Sequence, residues 1–393
     1  MTMRIAITCN DLVPGCHMPV GAQGLRAYGL YCGLTAHGYA VDIVVPRRVA
    51  QQRMNRWSQG FPMTLPPYLR ILPDNHMFAL LNKQYTHVLC PNWVTLEAFE
   101  KSTEVTLIYD FLSATQIEHS FIHAPGRLQQ SKRVKDAVLR QADIVIANGA
   151  RHTAYAQDYC ASLSGAAAKG DVLNVRMSLP WIERPADQSR PLAIFSGGYR
   201  QLWISSLTPR DLIDLSEEIG ATMLIIGAET NPNLDPKLLT AGTELHYETI
   251  VATPHVTTYA FCDFERYRML NARSDVALDI SALNDEREMS YSTRTVSSIS
   301  SGCPVLQMAF TELGGLVEET GAGWVVPDCE KSTVSDILRT IAGDTGARTE
   351  ARRRTEMFWE RYCNPDTQIL PLVEALRDRE AASASGAAVK AHA

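Results

Sequence analysis

The sequence predicts an α/β protein built from two doubly wound parallel-sheet domains that face each other across a cleft. Three observations carry this. Short apolar, β-rich runs recur along the chain with helical stretches between them, the order that gives parallel strands covered by helices. The series runs twice, and between the two runs "VRMSLPWIERPADQSRP" turns to Pro and Arg without regular periodicity, as a linker does. The chain has 393 residues, more than one hydrophobic core usually organises.

"RIAIT" (Arg4–Thr8) is the first strand. From Leu25 the positions Leu25, Tyr28, Gly29, Cys32 and Ala36 recur at helical spacing, Gly38 ends the helix, and "VDIVV" (Val41–Val45) is the next strand. Further strands are expected at Thr86–Pro91, Val105–Asp110 and Ala142–Asn148, with a charged helix over Gly126–Gln141 before the last. The second series has strands at Leu192–Gly198, Thr222–Ala228, Val276–Ser281, Pro304–Met308 and Gly323–Pro327. Its closing helices run through "KSTVSDILRTIA", with Ser332 or Thr333 as the expected N-cap, and "ARTEARRRTEMFWERY". The boundaries that follow are 1–182 for the first domain and 183–350 for the second. Residues 351–379 are helices placed to return to the first domain, and 380–393 form an Ala/Ser/Gly-rich tail expected to be disordered.

Composition narrows the function. The 37 basic and 43 acidic residues leave a net charge of −6, which offers no general surface for nucleic acid or an anionic membrane. No run of apolar residues is long enough for a membrane span, and "MTMRIAITCND" is too short and polar for a secretory signal. The nine cysteines have neither CxxC nor His-paired spacing, so reduced thiols, a cytoplasmic location and no bound metal are expected.

Ligands of doubly wound sheets lie at the carboxyl ends of the strands, so the loops there hold the candidate residues. Gly21 and Gly24 precede a helix in the first long loop, with Arg26 in its first turn. Backbone N–H groups, a helix dipole and a guanidinium together suit an anion; loop punctuation and a solvated arginine are the plainer reading. A nicotinamide fingerprint needs its glycines directly after the strand, and here Thr8 and Gly21 are far apart. Arg47, after the second strand, keeps a phosphorylated nicotinamide cofactor as an alternative. Asp110 ends a strand, and Glu118 and His119 follow it, candidates for an acid, base or acceptor-orienting role. His17 lies in the same long loop as the glycines.

The second half offers a denser constellation in "DEREMSYSTRTVSSISSGCPVLQM". Ser292 and Thr293 stand at a helix start and Arg294 follows, a combination able to hold a diphosphate. Glu286 and Glu288 are placed to accept hydrogen bonds from sugar or ribose hydroxyls. Gly197 and Gly198 end a strand and leave room for a ligand, with Tyr199 and Arg200 next. An N-capped surface helix and a simple strand-to-helix turn are the structural alternatives.

These segments, in this order, resemble the GT-B fold glycosyltransferases of the retaining family-4 type, over roughly Met3 to Tyr362. The likeness rests on Gly21, Gly24, Leu25 and Arg26 against the family's G-x-G-I-R, on "ADIVIANGARHTAYA", "VRMSLP" and "IFSGGY", and on "STRTVSSISSGCPVLQMAFTELGGLVEETGAGWVV". The chain departs from the usual Glu-x7-Glu pair, whose positions fall on Met289 and Ser297, and Ser178 replaces a linker glycine. It is closer to a subgroup with an acidic residue before G-S-R-T-R. The resemblance implies two Rossmann-like domains and transfer of a sugar from a nucleoside diphosphate sugar (UDP, GDP or dTDP) to a small-molecule or glycan acceptor. It further implies retention of configuration and neither cofactor nor metal. Arg200, Arg294, Ser292 and Thr293 would then meet the diphosphate, Gly21, Gly24 and Arg26 the facing wall, Glu286 or Glu288 the sugar or ribose, and Asp110 and Glu118 the acceptor. The competing functions are a nicotinamide-dependent oxidoreductase, a non-catalytic nucleotide-sugar binding protein and a nucleotide-sugar epimerase.

Overall fold

The computed structural model describes residues 3–57, 64–91, 99–112, 125–163, 171–183, 192–197, 209–226, 256–259 and 262–391. The first domain contains β1 (Arg4–Thr8), α1 (Ala22–Ala36), β2 (Ala40–Pro46), α2 (Arg47–Trp57), β3 (Leu69–Leu72), α3 (Met77–Gln84) and β4 (His87–Cys90). It continues with β5 (Thr106–Phe111), α4 (Pro125–Gln141), β6 (Ile144–Ala147), α5 (Ala150–Ser162) and β7 (Leu173–Asn174). The second contains β8 (Ala193–Gly197), α6 (Pro209–Glu218), β9 (Thr222–Ile226), β10 (Val256–Tyr259), α7 (Phe264–Ala272) and β11 (Val276–Asp279). After these come α8 (Asp285–Met289), α9 (Thr293–Ile299), β12 (Val305–Met308), α10 (Glu312–Thr320) and β13 (Gly323–Val326). The chain ends in α11 (Lys331–Gly343), α12 (Thr345–Tyr362), α13 (Pro365–Gln368) and α14 (Leu370–Ala391).

The sheets have the orders β3-β2-β1-β4-β5-β6-β7 and β10-β9-β8-β11-β12-β13, and every pairing is parallel. Each order reverses once, between β1 and β4 and between β8 and β11. These reversals are the switch points at which doubly wound sheets open a crevice. The central strands are mostly apolar because helices cover both faces: β4 and β6 are buried at every position.

Helix α1 shows why glycine recurs in its sequence. A Cβ on Gly24 would stand 1.9 Å from the Leu12 carbonyl oxygen, one on Gly29 2.1 Å from that of Ser178, and one on Gly33 2.6 Å from that of Pro365. The bare backbone lets the β1–α1 loop, the linker and the C-terminal helices approach one helix closely. Ile369, Leu372, Val373 and Leu376 of the C-terminal segment share a core cluster with Ile5, Leu30 and Ile43 of the first domain. Helix α14 runs to Ala391, through residues expected as a disordered tail; their alanines are strong helix formers. Helix α11 also differs from expectation. Its N-cap is Glu330 rather than Ser332 or Thr333, with Asp328 Oδ1 accepting the Glu330 N–H at 3.0 Å in the turn before it. All nine cysteines are free thiols. Among the described residues no helix is long and apolar enough to cross a membrane.

Two adjacent glycines of α10 give a direct check on this packing. A Cβ on Gly314 would lie 2.1 Å from the Met308 carbonyl oxygen, whereas one on Gly315 meets nothing within 4 Å. Gly314→Ala is expected to destabilise by about 1–3 kcal/mol through overpacking. Gly315→Ala is expected to stabilise by about 0.5–1 kcal/mol through helix propensity. Urea unfolding of both variants makes the comparison, and equal effects would refute the close approach.

Candidate functional site

Of the expected donor residues, Gly197, Ser292, Thr293 and Arg294 stand at the second domain's switch point. β8 and β11 are neighbours there and end at Gly197 and Asp279. Asp279 is buried, and its Oδ1 accepts from Arg294 Nη2 at 3.0 Å while its Oδ2 accepts from Thr295 Oγ1 at 2.6 Å. Gln307 Nε2, from β12, donates to Thr295 Oγ1 at 2.8 Å and to Asp279 Oδ2 at 3.3 Å. Burial alone would raise the Asp279 carboxyl, but Arg294 and the hydroxyls of Ser292 and Thr295 outweigh it and hold the group at about 2. A cavity of about 10 Å³ lies against Asp279, Arg294 and Thr295, room for a single water. Asp279 thus orients the start of α9. Ser292 is the N-cap of this short helix, Thr293 its first residue, and no hydroxyl caps its N–H groups.

The two acidic candidates have other partners. Glu286 receives Arg287 Nε at 2.5 Å and Nη2 at 2.8 Å, and Ser290 Oγ at 3.3 Å. Glu288 belongs to the contact between domains: its carbonyl accepts from Arg151 Nη1 at 3.1 Å, and its carboxylate is 3.9 Å from the same group.

In the first domain the structure places Arg26 and Asp110, expected at the ligand and the acceptor, against each other. Arg26 donates to Asp110 through Nε at 2.8 Å and Nη2 at 3.1 Å, with side chains 1% and 0% exposed. Helix α1 and strand β5 are tied by this pair, which turns both groups inward. Gly21 likewise gives its N–H to Asp11 Oδ2 at 3.0 Å, and Gly24 serves the close approach described above. Asp11, which the sequence reading passed over, also accepts from Leu12 N at 2.9 Å and pairs with Arg53 at 3.1 Å. His17 is exposed within this loop. Glu118, His119, Gly198, Tyr199 and Arg200 lie outside the described residues.

Contacts between loops at the carboxyl ends of both sheets turn these ends toward one another. Glu312, at the start of α10, accepts the N–H groups of Ala150 (2.9 Å) and Arg151 (3.0 Å), the first turn of α5. Such a carboxylate satisfies orphan donors and complements the helix dipole. Arg151 Nη1 also donates to the Phe310 carbonyl at 2.5 Å, and Gly15 N donates to Glu265 Oε1 at 3.0 Å. On the linker, Arg268 donates to the carbonyls of Pro180 and Ser300. Glu312 reads in sequence as an ordinary first-turn acid, so only its position in the fold shows that it serves a second helix.

Solved structures share this fold. The fold superposes on a sucrose-phosphate synthase from Thermosynechococcus elongatus with a TM-score of 0.67 at 15% identity, covering 97% of this chain and 100% of that one. An α-glucosyltransferase in complex with UDP-glucose and DNA containing an abasic site matches at TM-score 0.65 and 10% identity, over 96% and 100% of the two chains. HepE from Anabaena, in complex with UDP and glucose, matches at 0.60 and 14%, also over 96% and 100%. No family model and no curated protein sequence matches the chain. The chain has the two-domain GT-B fold of these glycosyltransferases.

Proposed function

We propose that this protein is a glycosyltransferase that moves a sugar from a nucleoside diphosphate sugar to a small-molecule or glycan acceptor. The observation that carries it is the second switch point, where Arg294 and the uncapped start of α9 stand beside buried Asp279, in a fold whose solved relatives hold UDP or UDP-glucose. UDP is therefore the proposed nucleotide. Charge develops on the diphosphate as the sugar leaves. Arg294 and the backbone N–H groups following Ser292 supply preorganised positive ends for it without a metal on the phosphates, and retention of configuration is carried over from the family resemblance. Arg200 is a second candidate for the same role. The buried Arg26–Asp110 pair serves the first domain's structure in this reading, and the acceptor contacts fall to other residues of that domain. One relative is solved with DNA, but the net charge of −6 favours an acceptor without a polyanionic backbone.

Calorimetric titration with UDP, GDP, dTDP, their sugars and the two nicotinamide cofactors tests the proposal, followed by a donor-hydrolysis assay. UDP binding with slow hydrolysis of one UDP-sugar is the expected result. Binding of a nicotinamide cofactor alone would overturn it. Donor binding with neither hydrolysis nor transfer to any of a panel of acceptors would make the protein a non-catalytic binder.

A further inference from the structure

A cluster of ligating side chains spans the two domains and shares no residue with those assigned to the donor. The β1–α1 loop reaches the start of α7, where Gly15 N donates to Glu265 Oε1. Two residues further on, His17 takes φ +53, the one non-glycine residue with positive φ among those described. One ligand atom from each of His17, Asp263 and Glu265 lies within 4.8 Å of the others. Capping accounts for only part of this arrangement. Asp263 Oδ1 accepts from Arg266 N at 2.7 Å, and Glu265 Oε1 is taken by Gly15, which leaves each carboxylate a second oxygen. Helix capping needs no imidazole from the other domain.

The chemistry of the three donors fits a shared cation. Ligand atoms about 2.0–2.2 Å from one metal ion stand roughly 3–4 Å from each other, a separation the cluster reaches with small side-chain rotations. One imidazole with two carboxylates suits a first-row divalent ion. Calcium and magnesium prefer oxygen throughout. The ligand atoms that come together are one imidazole nitrogen and two carboxylate oxygens, and the neighbouring thiols Cys16 and Cys262 are buried.

We propose that His17, Asp263 and Glu265 form a binding site for a divalent first-row transition-metal ion, which pins the β1–α1 loop of the first domain to helix α7 of the second. The ion is structural, held by side chains from both domains rather than by a diphosphate.

Mn2+ is the probe, because it favours oxygen and nitrogen over the nine thiols. The full-length chain is freed of metal with a chelator and titrated with Mn2+ without nucleotide, and free Mn2+ is read by electron paramagnetic resonance. The expected result is one bound Mn2+ per chain, with affinity weakened about tenfold or more in His17→Asn, Asp263→Asn and Glu265→Gln. Asparagine tolerates positive φ at position 17, and Asp263→Asn keeps a capping oxygen for Arg266, so at least these two variants are built to fold. Mn2+ is also expected to raise the Tm of the wild type and not of the variants. Absence of stoichiometric binding, or equal binding by the wild type and all three variants, overturns the site. With no nucleotide present, either outcome is independent of the transferase reading.

Discussion

Asp110→Ala is expected to destabilise the fold by about 3–5 kcal/mol, the cost of removing one partner from a buried ion pair. The carboxylate accepts both Nε and Nη2 of Arg26, and neither side chain touches solvent. Burial pushes the Asp110 carboxyl above its ordinary range, while Arg26 pulls it back down. Without the carboxylate, the guanidinium is left charged, dry and unmatched; its Nη1 already lacks a hydrogen-bond partner. The joint replacement Arg26→Met/Asp110→Leu removes both charges and is expected to recover most of the loss, since apolar side chains of similar volume replace buried pairs at little cost. Urea melts of the two proteins measure both effects. If Asp110→Ala unfolds within about 1 kcal/mol of the wild type, below the range for such pairs, the pair does not hold α1 to β5. The double variant also tests function. UDP affinity is expected to be unchanged in it, and a loss in the folded double variant would return Arg26 to the ligand.

Much of the fold was legible because both sheets are parallel. Strands covered on two faces read as near-continuous apolar runs, and "VLC" in β4 or "IVIA" in β6 shows that without any tertiary information. Edge strands carry a weaker signal. β3 is only "LRIL" and β10 only "VTTY"; each is short, mixed in polarity and sits at the rim of its sheet. Helix α2, "RRVAQQRMNRW", has too thin an apolar stripe to announce itself.

The site was legible by residue type and less so by partner. Arg294 and Ser292 stand at a strand-end helix start because local sequence dictates it. Asp279, which orients them, ends a strand that reads simply as "VALDIS". Arg26 and Asp110 are 84 positions apart, and nothing local shows that each neutralises the other. A glycine signals missing bulk but not what fills the space. At Gly24 it is the Leu12 carbonyl, where an anion was the sequence-based expectation.

Arg294→Ala should produce the largest functional effect and separates two roles of one side chain. If Arg294 meets the diphosphate, truncation costs about 2–5 kcal/mol of donor binding, a loss of roughly 30-fold or more in UDP affinity. Arg294 also holds Asp279 at about 2 rather than the usual 3.8. In the wild type the folded carboxyl therefore titrates below the unfolded one. Its contribution of about 2 kcal/mol is fully present above pH ~4 and disappears as pH falls through ~2. Removing the guanidinium lets burial raise the carboxyl, so Arg294→Ala should begin to lose stability at higher pH than the wild type. Acid unfolding reads the first role and calorimetry with UDP the second. Both changing together places Arg294 between Asp279 and the diphosphate. An earlier acid transition with unchanged UDP affinity would confine Arg294 to orienting α9, and Arg200 would become the remaining arginine for the phosphates.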